Sequence, residues 1–360
     1  KMVDRFKSFV NIHEFLRAWK SRVDVVLSSD IKEFKIDDTL PKMKDGKTTD
    51  IILKQSAELK RIMNDVKSTL ETWENLPGKE KMTKRHWPLV MFNRAKQAAI
   101  DVRLVDPSLP DDPDSKTNGV IKEILRIYNQ SGEYKGTQMV FCDMYQSSDA
   151  KSPYLDDEAT IRNPAYGKAR FNLFEDIKKK LVEAGVPENE IAIVHDAQKN
   201  EKKWEQTKEQ FRNGTIRIML GTTEKMGVGV DIPTRMAGLH HMDAPPRPMD
   251  FTQRNGRIIR QGNLHADWGI PVEVLTYGVE KTLDATAYQR LQIKQEFINQ
   301  VLKGNISLDE TTIDEIGGDE DDVSSMSFGD MMATLSGSQY AILAFKAKYD
   351  YGNGEKQVDG

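Results

Sequence analysis

The strongest constraint on the fold is the alternation of short apolar runs with amphipathic stretches after Asp114. The apolar runs read TQMVFCD, EIAIVHD, TIRIMLGT, GLHHMDAP and VEVLTYG, and helical patterns lie between most of them. Helices that connect strands in this way produce right-handed crossovers and a parallel sheet covered on both faces. The sequence therefore predicts an α/β, doubly wound domain from Asp114 to about Gly304.

The segment before Asp114 has a mostly helical pattern around one extended piece, TDIILKQ. The run SAELKRIMNDVKSTLETWEN predicts a long amphipathic helix with Ser56 as its N-cap. We therefore expect three parts: a mostly helical segment over residues 1–113, the α/β domain over 114–304, and an acidic extension over 305–360. A short helix is expected in the extension near SFGDMMATL.

Charge is distributed unevenly along the chain. The formal net charge is −4, but nine acidic residues and no Lys or Arg lie between Gly304 and Phe345. The residues after Phe345 are neutral by count, so the part up to Lys303 carries a net positive charge. A basic body with an acidic extension is compatible with nucleic-acid binding, although solvated surface charge produces the same pattern.

Composition excludes several other classes of protein. Cys142 is the only cysteine, which excludes a disulfide framework and a cysteine-based zinc site. No apolar run approaches the roughly 18 residues that span a membrane, and the N-terminus lacks the apolar core and cleavage site of a signal peptide. We therefore expect a cytoplasmic protein with no membrane partner.

Ligands of open parallel sheets bind at the carboxyl ends of the strands, and the run LGTTEKMGVGVDIP follows such an end. Thr222 and Thr223 offer hydroxyl and backbone N–H donors for a phosphodiester. Gly227 and Gly229 allow close approach of a ligand to the backbone, and Asp231 can accept a hydrogen bond from a ribose hydroxyl. A plain glycine turn explains this run equally well when it is taken alone.

The run FTQRNGRIIRQGN carries Arg254, Arg257 and Arg260 at every third position. The pattern PMDFTQRNGRIIRQ predicts a helix, on which this spacing forms a cationic face suited to phosphate. Gly256 would lie inside the helix, which indicates close packing there. The competing interpretation is a basic helix face paired with surface carboxylates.

The order TTEKMGVGVDI, LHHMDAP, QRNGRIIRQG resembles motifs V and VI of superfamily-two helicases. More narrowly, it resembles the Swi/Snf-like helicase lobes of phage and mobile-element methylase–helicase proteins. The resemblance also covers TQMVFCDM, GVPENEIAIVHDA, RAKQAAIDVRLVD and TLPKMKDGK, and so extends over most of the chain. It implies a RecA-like C-terminal lobe.

The resemblance implies roles in binding and hydrolysing ATP with Mg²⁺. Arg257 and Arg260 match the motif VI arginines that reach the triphosphate across a cleft, one of them as an arginine finger. Gln253 begins that motif, and Asp231 matches the acidic residue of motif V near the ribose. Arg254 is expected to be structural.

The resemblance also implies a track for DNA, expected to be double-stranded. Thr222 and Thr223 match motif V positions that contact the nucleic-acid backbone. Lys225 stands where many relatives carry a small residue, and DNA phosphate is its expected ligand. Ile258 and Ile259 replace the small residues of the DEAD-box motif, which favours the Swi/Snf-like variety.

Two other runs resemble the P-loop and the acidic motif that a complete ATPase requires. Gly46-Lys47-Thr48 has the ending of a P-loop, but Pro41 stands where a glycine is required, so a tight turn at Asp45-Gly46 is the better interpretation. The run Asp157-Glu158-Ala159-Thr160 resembles a DEAD box, but it follows a polar stretch and is expected to be a surface insertion. We therefore expect a P-loop lobe, N-terminal to Lys1 in the same polypeptide, to hold most of the nucleotide.

His240, His241 and the nearby Asp243 are residue types that can bind a metal ion. Adjacent strand residues point to opposite faces, so we expect no metal, one buried histidine and one that faces the cleft.

Two functions remain open. The chain is either the second lobe of a DNA-dependent ATPase or translocase, or a catalytically inert nucleic-acid- or protein-binding module that keeps the fold. A further hypothesis is that the acidic extension folds over the basic track.

Overall fold

A six-stranded, fully parallel sheet forms the centre of the molecule in the computed structural model, which describes residues 39–144, 171–227 and 234–303, together with 17–18 and 21–23. The strand order is β1-β6-β5-β2-β4-β3. The strands are β1 (Thr49–Leu53), β2 (Thr137–Phe141), β3 (Ile191–Ile193), β4 (Ile218–Gly221), β5 (Met236–His241) and β6 (Glu273–Val279).

Helices connect the strands and cover both faces of the sheet. They are α1 (Ala57–Glu74), α2 (Gly78–Thr83), α3 (Trp87–Ile100), α4 (Lys116–Gln130), α5 (Leu173–Glu183), α6 (Val194–Ala197), α7 (Glu201–Arg212), α8 (Thr223–Gly227), α9 (Pro248–Asn255), α10 (His265–Trp268) and α11 (Asp284–Lys303). Short 3₁₀ turns lie at Lys44–Gly46, Val102–Leu104 and Glu188–Glu190. Among the described residues, none of the helices combines the length and the apolar character that crossing a bilayer needs.

The sheet has an apolar layer on each face. Val140 and Leu220 contribute to a cluster that contains the buried side chains of α4 and α5, whereas Met139 and Met219 contribute to a cluster on the other face with Phe211 of α7. Every residue of β2, β4 and β5 is buried. These continuous buried runs are typical of a parallel sheet covered on both faces. The predicted α/β, doubly wound fold with a parallel sheet is confirmed.

The N-terminal segment contributes to the same sheet. β1 pairs with β6 over its whole length, and Met43 makes an isolated bridge with Val272. Between these two contacts the chain turns at Asp45 and Gly46, whose φ angles are 55° and 69°, which confirms the tight turn. Ser56 accepts a hydrogen bond from the Leu59 N–H, which confirms its role as an N-cap.

The structure corrects the predicted helix around the arginines. α9 ends at Asn255 with Gly256 as its C-cap, so Arg257 and Arg260 lie in the turns beyond the helix and Gly256 is not a helix-interior residue. Within these turns Ile258 is fully buried in the apolar layer shared with Phe211.

A second correction concerns EIAIVHD. The strand ends at Ile193, and Val194–Ala197 forms the short helix α6, with Val194 fully buried. His195 therefore lies on a helix. The acidic extension, the run Asp157-Glu158-Ala159-Thr160 and residues 228–233, which include Gly229 and Asp231, lie outside the described residues.

Candidate functional site

The candidate site is at the carboxyl edge of the sheet, where the residues after β2, β4 and β5 meet. Asp143 follows β2, Thr223 begins α8 directly after β4, and Asp243 follows β5. Arg254 of α9 lies among them and is fully buried. We refer to Asp143, Thr223, Asp243 and Arg254 as the Arg254 cluster.

The guanidinium of Arg254 binds every other member of the cluster. Its Nε donates to Thr223 Oγ1 at 2.8 Å, and its Nη2 donates to Asp143 Oδ2 at 2.7 Å and to Asp243 Oδ1 at 3.2 Å. Its Nη1 donates to the Asp243 carbonyl oxygen at 2.9 Å. Arg254 is therefore structural, as the sequence indicated.

The two carboxylates hold the neighbouring backbone. Asp143 Oδ1 accepts from the Thr223 N–H at 2.6 Å, and Asp143 Oδ2 accepts from the Thr223 hydroxyl at 2.7 Å. Asp243 Oδ2 accepts from the N–H groups of Asp143 and Met144 at 2.6 and 2.8 Å. The segment after β2 and the start of α8 are thus fixed to the same cluster.

Burial sets the electrostatics of the cluster. Burial raises the pKa of Asp243, and Arg254 opposes that change by favouring the carboxylate. Burial by itself lowers the pKa of Arg254, but the carboxylates of Asp243 and Asp143 outweigh it, so this pKa is raised above its ordinary value. The arginine therefore stays charged and offsets two neighbouring acids.

The adjacent histidines both lie in the core. His240 Nδ1 lies 2.7 Å from the Tyr277 hydroxyl oxygen, and His240 Nε2 lies 2.9 Å from Gln138 Oε1. His241 has its Nε2 2.8 Å from Asn255 Oδ1 and stacks on Phe251 with ring centroids 4.5 Å apart. Both are fully buried, so the prediction that one faces the cleft was wrong. Among the described residues no group of three potential metal ligands occurs.

Acidification is expected to destabilise the protein through these histidines. Burial lowers the pKa of His240 to about 3, whereas the unfolded value is about 6.5. Below about pH 6.5 the unfolded state therefore binds more protons, and the free energy of unfolding falls by up to about 1.4 kcal/mol per pH unit for this one residue. Urea titrations at pH 5, 6 and 7 measure the slope of the free energy of unfolding against pH.

The variant His240→Gln provides the comparison for that slope. Its free energy of unfolding is expected to fall less steeply between pH 6 and pH 5, because one titrating group has been removed. Equal slopes for the variant and the original chain would show that His240 does not bind protons in this window on unfolding.

The residues that Sequence analysis assigns to motif VI adjoin the cluster in the chain. Gln253 precedes Arg254, and the Arg257 N–H donates to the Arg254 carbonyl oxygen at 3.0 Å. Gln253, Arg257 and Arg260 are all half-buried. We call residues 256–262 the arginine segment. It is anchored by Arg254 before it and by Ile258 within it.

The residues expected at nucleic acid lie in α8 and immediately before it, and α8 is in contact with α9. Thr222 and Lys225 are half-buried, and the Lys225 carbonyl oxygen accepts from Gln198 of the neighbouring turn at 3.0 Å. We call residues 222–227 the nucleic-acid segment. Gly227 is its last residue and ends α8.

The structure places the Thr223 hydroxyl differently from the expectation. This hydroxyl donates to Asp143 and accepts from Arg254, so both of its hydrogen-bonding functions are used inside the protein. The Thr223 side chain thus points toward Asp143 and Arg254.

Sequence reasoning missed Asp143 altogether and considered Asp243 only beside the histidines, not as a partner of Arg254. Each follows an apolar run, in VFCD and HHMD, and an acidic residue at a strand end is a usable signal for this edge of a parallel sheet. The distance between them could not be inferred, because they are far apart in the chain and meet only through the pairing of β2 with β5.

Comparison with known proteins supports a helicase-like lobe. Residues 167–262 match the family described as the helicase conserved C-terminal domain. No match to a curated protein was found.

Three solved structures are similar to parts of this chain. The C-terminal part of the Fun30 ATPase domain is similar over 82% of this chain and 99% of its own, with 13% identity and a TM-score of 0.46. The Sulfolobus solfataricus SWI2/SNF2 ATPase core in complex with dsDNA is similar over 81% of this chain and 52% of its own, with 14% identity and a TM-score of 0.45. The DUF1998 helicase MrfA bound to DNA and AMPPNP is similar over 51% of this chain and 20% of its own, with 16% identity and a TM-score of 0.31.

Proposed function

We propose that this chain is the second lobe of a DNA-dependent ATPase or translocase. In this proposal ATP and Mg²⁺ are bound mainly by a P-loop lobe of the same polypeptide, and this chain supplies Arg257 and Arg260 to the triphosphate. The supporting observation is that the arginine segment is anchored at two points. It begins directly after α9, in which Arg254 is buried, and it contains the buried Ile258. Kinship with methylase–helicase proteins remains a prediction.

The chemistry of phosphoryl transfer explains why this anchoring matters. Negative charge spreads over the transferred phosphoryl group, and an arginine positioned beforehand stabilises that charge without reorganisation at the moment of reaction. Guanidinium groups are always charged and bind two oxygens at once. A segment fixed at two points keeps Arg257 and Arg260 in a narrow range of positions.

The same edge provides the proposed contacts with ligand. Thr222 and Lys225 bind the DNA backbone, with Thr223 as the residue that fixes their segment to the Arg254 cluster. Gln253 and the glycines Gly227 and Gly229 approach the nucleotide, and Asp231 binds its ribose. The contact between α8, which contains most of the nucleic-acid segment, and α9, which contains Gln253, supports this arrangement.

DNA binding by the 360-residue chain tests the nucleic-acid half of the proposal. The variant Lys225→Ala is expected to bind duplex DNA more weakly, with a slope of log affinity against log salt that is smaller by about 0.9, because one phosphate contact is lost. Fluorescence anisotropy at several salt concentrations measures the slope. Lys60→Ala, which changes an exposed lysine of α1, is the matched control.

Identical slopes for Lys225→Ala and the unaltered chain would contradict the assignment of Lys225. The alternative function, an inert binding module, predicts the same loss of DNA affinity. The arginine variants described in the Discussion distinguish the two functions.

A further inference from the structure

We infer that the outer edge of β3 binds residues 309–315 of the acidic extension as an added strand. These residues read DETTIDE, which is three β-branched residues between two pairs of acids. The binding site is a groove along β3, which we call the β3 groove. None of the residues assigned to ATP or DNA lines this groove, so the inference is independent of the proposed function.

The β3 groove is formed by the last strand of the sheet and by one helix from each face. β3 pairs with β4 on one side, and within the described part of the chain no strand pairs with its other side. Lys178 of α5 lines the groove from one face of the sheet, and Lys203, Gln206 and Gln210 of α7 line it from the other. The space between them is about 600 Å³, within the range of ligand-binding pockets.

The backbone of β3 offers hydrogen-bonding groups to this groove. The Glu190 carbonyl oxygen points toward β4, where it accepts from the Arg217 N–H at 2.8 Å. In a trans peptide the next N–H points the opposite way, so the Ile191 N–H faces the groove. Ile191 and Ile193 are both extended, and alternate residues of a strand share a direction. The Ile193 N–H therefore faces the groove as well, as an added strand requires.

Lysines lie near both ends of the groove. Lys178 pairs with Glu188, which precedes β3, at 2.8 Å, and Lys199 pairs with Asp196, which follows β3, at 2.8 Å. Lys203 is exposed in the first turn of α7. The side chains of Glu188 and Asp196 are 71% and 45% exposed. Exposed ion pairs are weak, so an incoming carboxylate can replace either acid.

The segment DETTIDE matches the groove in length and charge. β3 has three residues, as the central part Thr311-Thr312-Ile313 does, and β-branched residues favour strands. An acid pair on each side of that part corresponds to the lysines near each end of the groove. The extension adds no opposing charge, because no Lys or Arg lies between Gly304 and Phe345.

The extension is also long enough to reach the groove. Five strand spacings make the six-stranded sheet roughly 24 Å wide. The nine residues from Lys303, where α11 ends, to Thr312 span up to roughly 30 Å when extended. Thr312 can therefore reach across the whole width of the sheet.

Disulfide trapping in the 360-residue chain tests the contact. Cys142 is the only natural cysteine and is fully buried, so introduced cysteines can be paired selectively. In a glutathione buffer, Gln206→Cys with Thr312→Cys is expected to form an intramolecular disulfide about tenfold faster than Ser68→Cys with Thr312→Cys, because binding raises the effective concentration. Ser68 is exposed on α1, away from the groove.

Neutralising the acids of the segment tests the charges and the strand pairing. In this variant the disulfide is expected to lose most of its advantage, and the amides of Ile191 and Ile193 are expected to exchange about tenfold faster than in the unaltered chain, because an added strand protects them. The variant carries Asp309→Asn, Glu310→Gln, Asp314→Asn and Glu315→Gln. A matched control removes four charges outside the segment and is expected to behave as the unaltered chain. The control carries Asp319→Asn, Glu320→Gln, Asp321→Asn and Asp322→Asn.

Each measurement has an outcome that overturns the inference. Equal disulfide rates for the Gln206→Cys and Ser68→Cys pairs would show that the segment does not bind in the groove. Disulfides formed only between two chains would assign the groove to a second copy instead. Unchanged exchange of Ile191 and Ile193 in the neutralised variant would exclude strand pairing. Circular dichroism establishes that each variant is folded.

Discussion

Replacing Arg257 or Arg260 with alanine is expected to abolish DNA-stimulated ATP hydrolysis by the two-lobe protein, meaning the polypeptide that joins this chain to its P-loop lobe. An arginine finger contributes about 10³–10⁵-fold to the rate, and a residue acting only on the transition state changes kcat without changing nucleotide affinity. Steady-state hydrolysis with saturating duplex DNA measures the loss, and binding of a fluorescent ATP analogue measures affinity.

Two variants serve as controls for that experiment. Arg247→Ala removes an exposed arginine that precedes α9 and pairs with Asp250, and it is expected to hydrolyse ATP at the unaltered rate. Arg257→Lys retains the charge but loses the planar fork, so an intermediate rate is expected. Undiminished turnover in either alanine variant would exclude that arginine from the reaction and favour the inert binding module.

Replacing Arg254 with methionine is expected to lower the free energy of unfolding by about 3–5 kcal/mol, the usual cost of removing one partner from a buried ion pair. The physical reason is that Asp243, which is almost fully buried, and Asp143 lose their counter-ion in a region of low dielectric. Urea denaturation of the 360-residue chain at pH 7 measures the change.

The matched control is Arg212→Met, which removes an exposed arginine paired with Glu209 at the surface. Exposed pairs contribute about 0–1 kcal/mol, so this variant is expected to be nearly neutral. Combining Arg254→Met with Asp143→Asn and Asp243→Asn is expected to recover part of the loss, since no unpaired carboxylate then remains. A cost below about 1 kcal/mol for Arg254→Met would contradict the central role of the cluster.

Local patterns in the sequence were enough to predict most of the sheet and its helices. The apolar runs of β2, β4 and β5 indicate strands buried on both faces, and they are so in the structure. Ser56 and the Asp45-Gly46 turn were also predictable, because caps and tight turns depend on a few neighbouring residues. The position of β1 beside β6 was not, because that pairing joins distant parts of the chain.

The helix around the arginines shows why a local pattern can mislead. A spacing of three residues suits a helix face, but it does not exclude turns, and the chain leaves the helix at Gly256 and buries Ile258 in the turns that follow. The arginines consequently project from an anchored turn rather than from a helix.

The Arg254 cluster shows a different limit. Each member occurs at a strand end or in a helix that the sequence indicated, but their convergence depends on the strand order β5-β2-β4. That order brings Asp243, Asp143 and Thr223 to neighbouring strand ends, and it cannot be inferred from spacing. The same convergence brings the Thr223 hydroxyl, which was predicted to bind phosphate, into hydrogen bonds with Asp143 and Arg254.

The most direct test is the structure of the two-lobe protein bound to duplex DNA, ADP and aluminium fluoride, which imitates the transferred phosphoryl group. The measured quantity is the distance from the guanidinium nitrogens of Arg257 and Arg260 to the fluoride ligands. The account predicts at least one contact of about 3 Å, the length of a charge-assisted hydrogen bond. With the lobes closed around nucleotide, two arginines that both lie beyond hydrogen-bonding distance of the fluoride would contradict it.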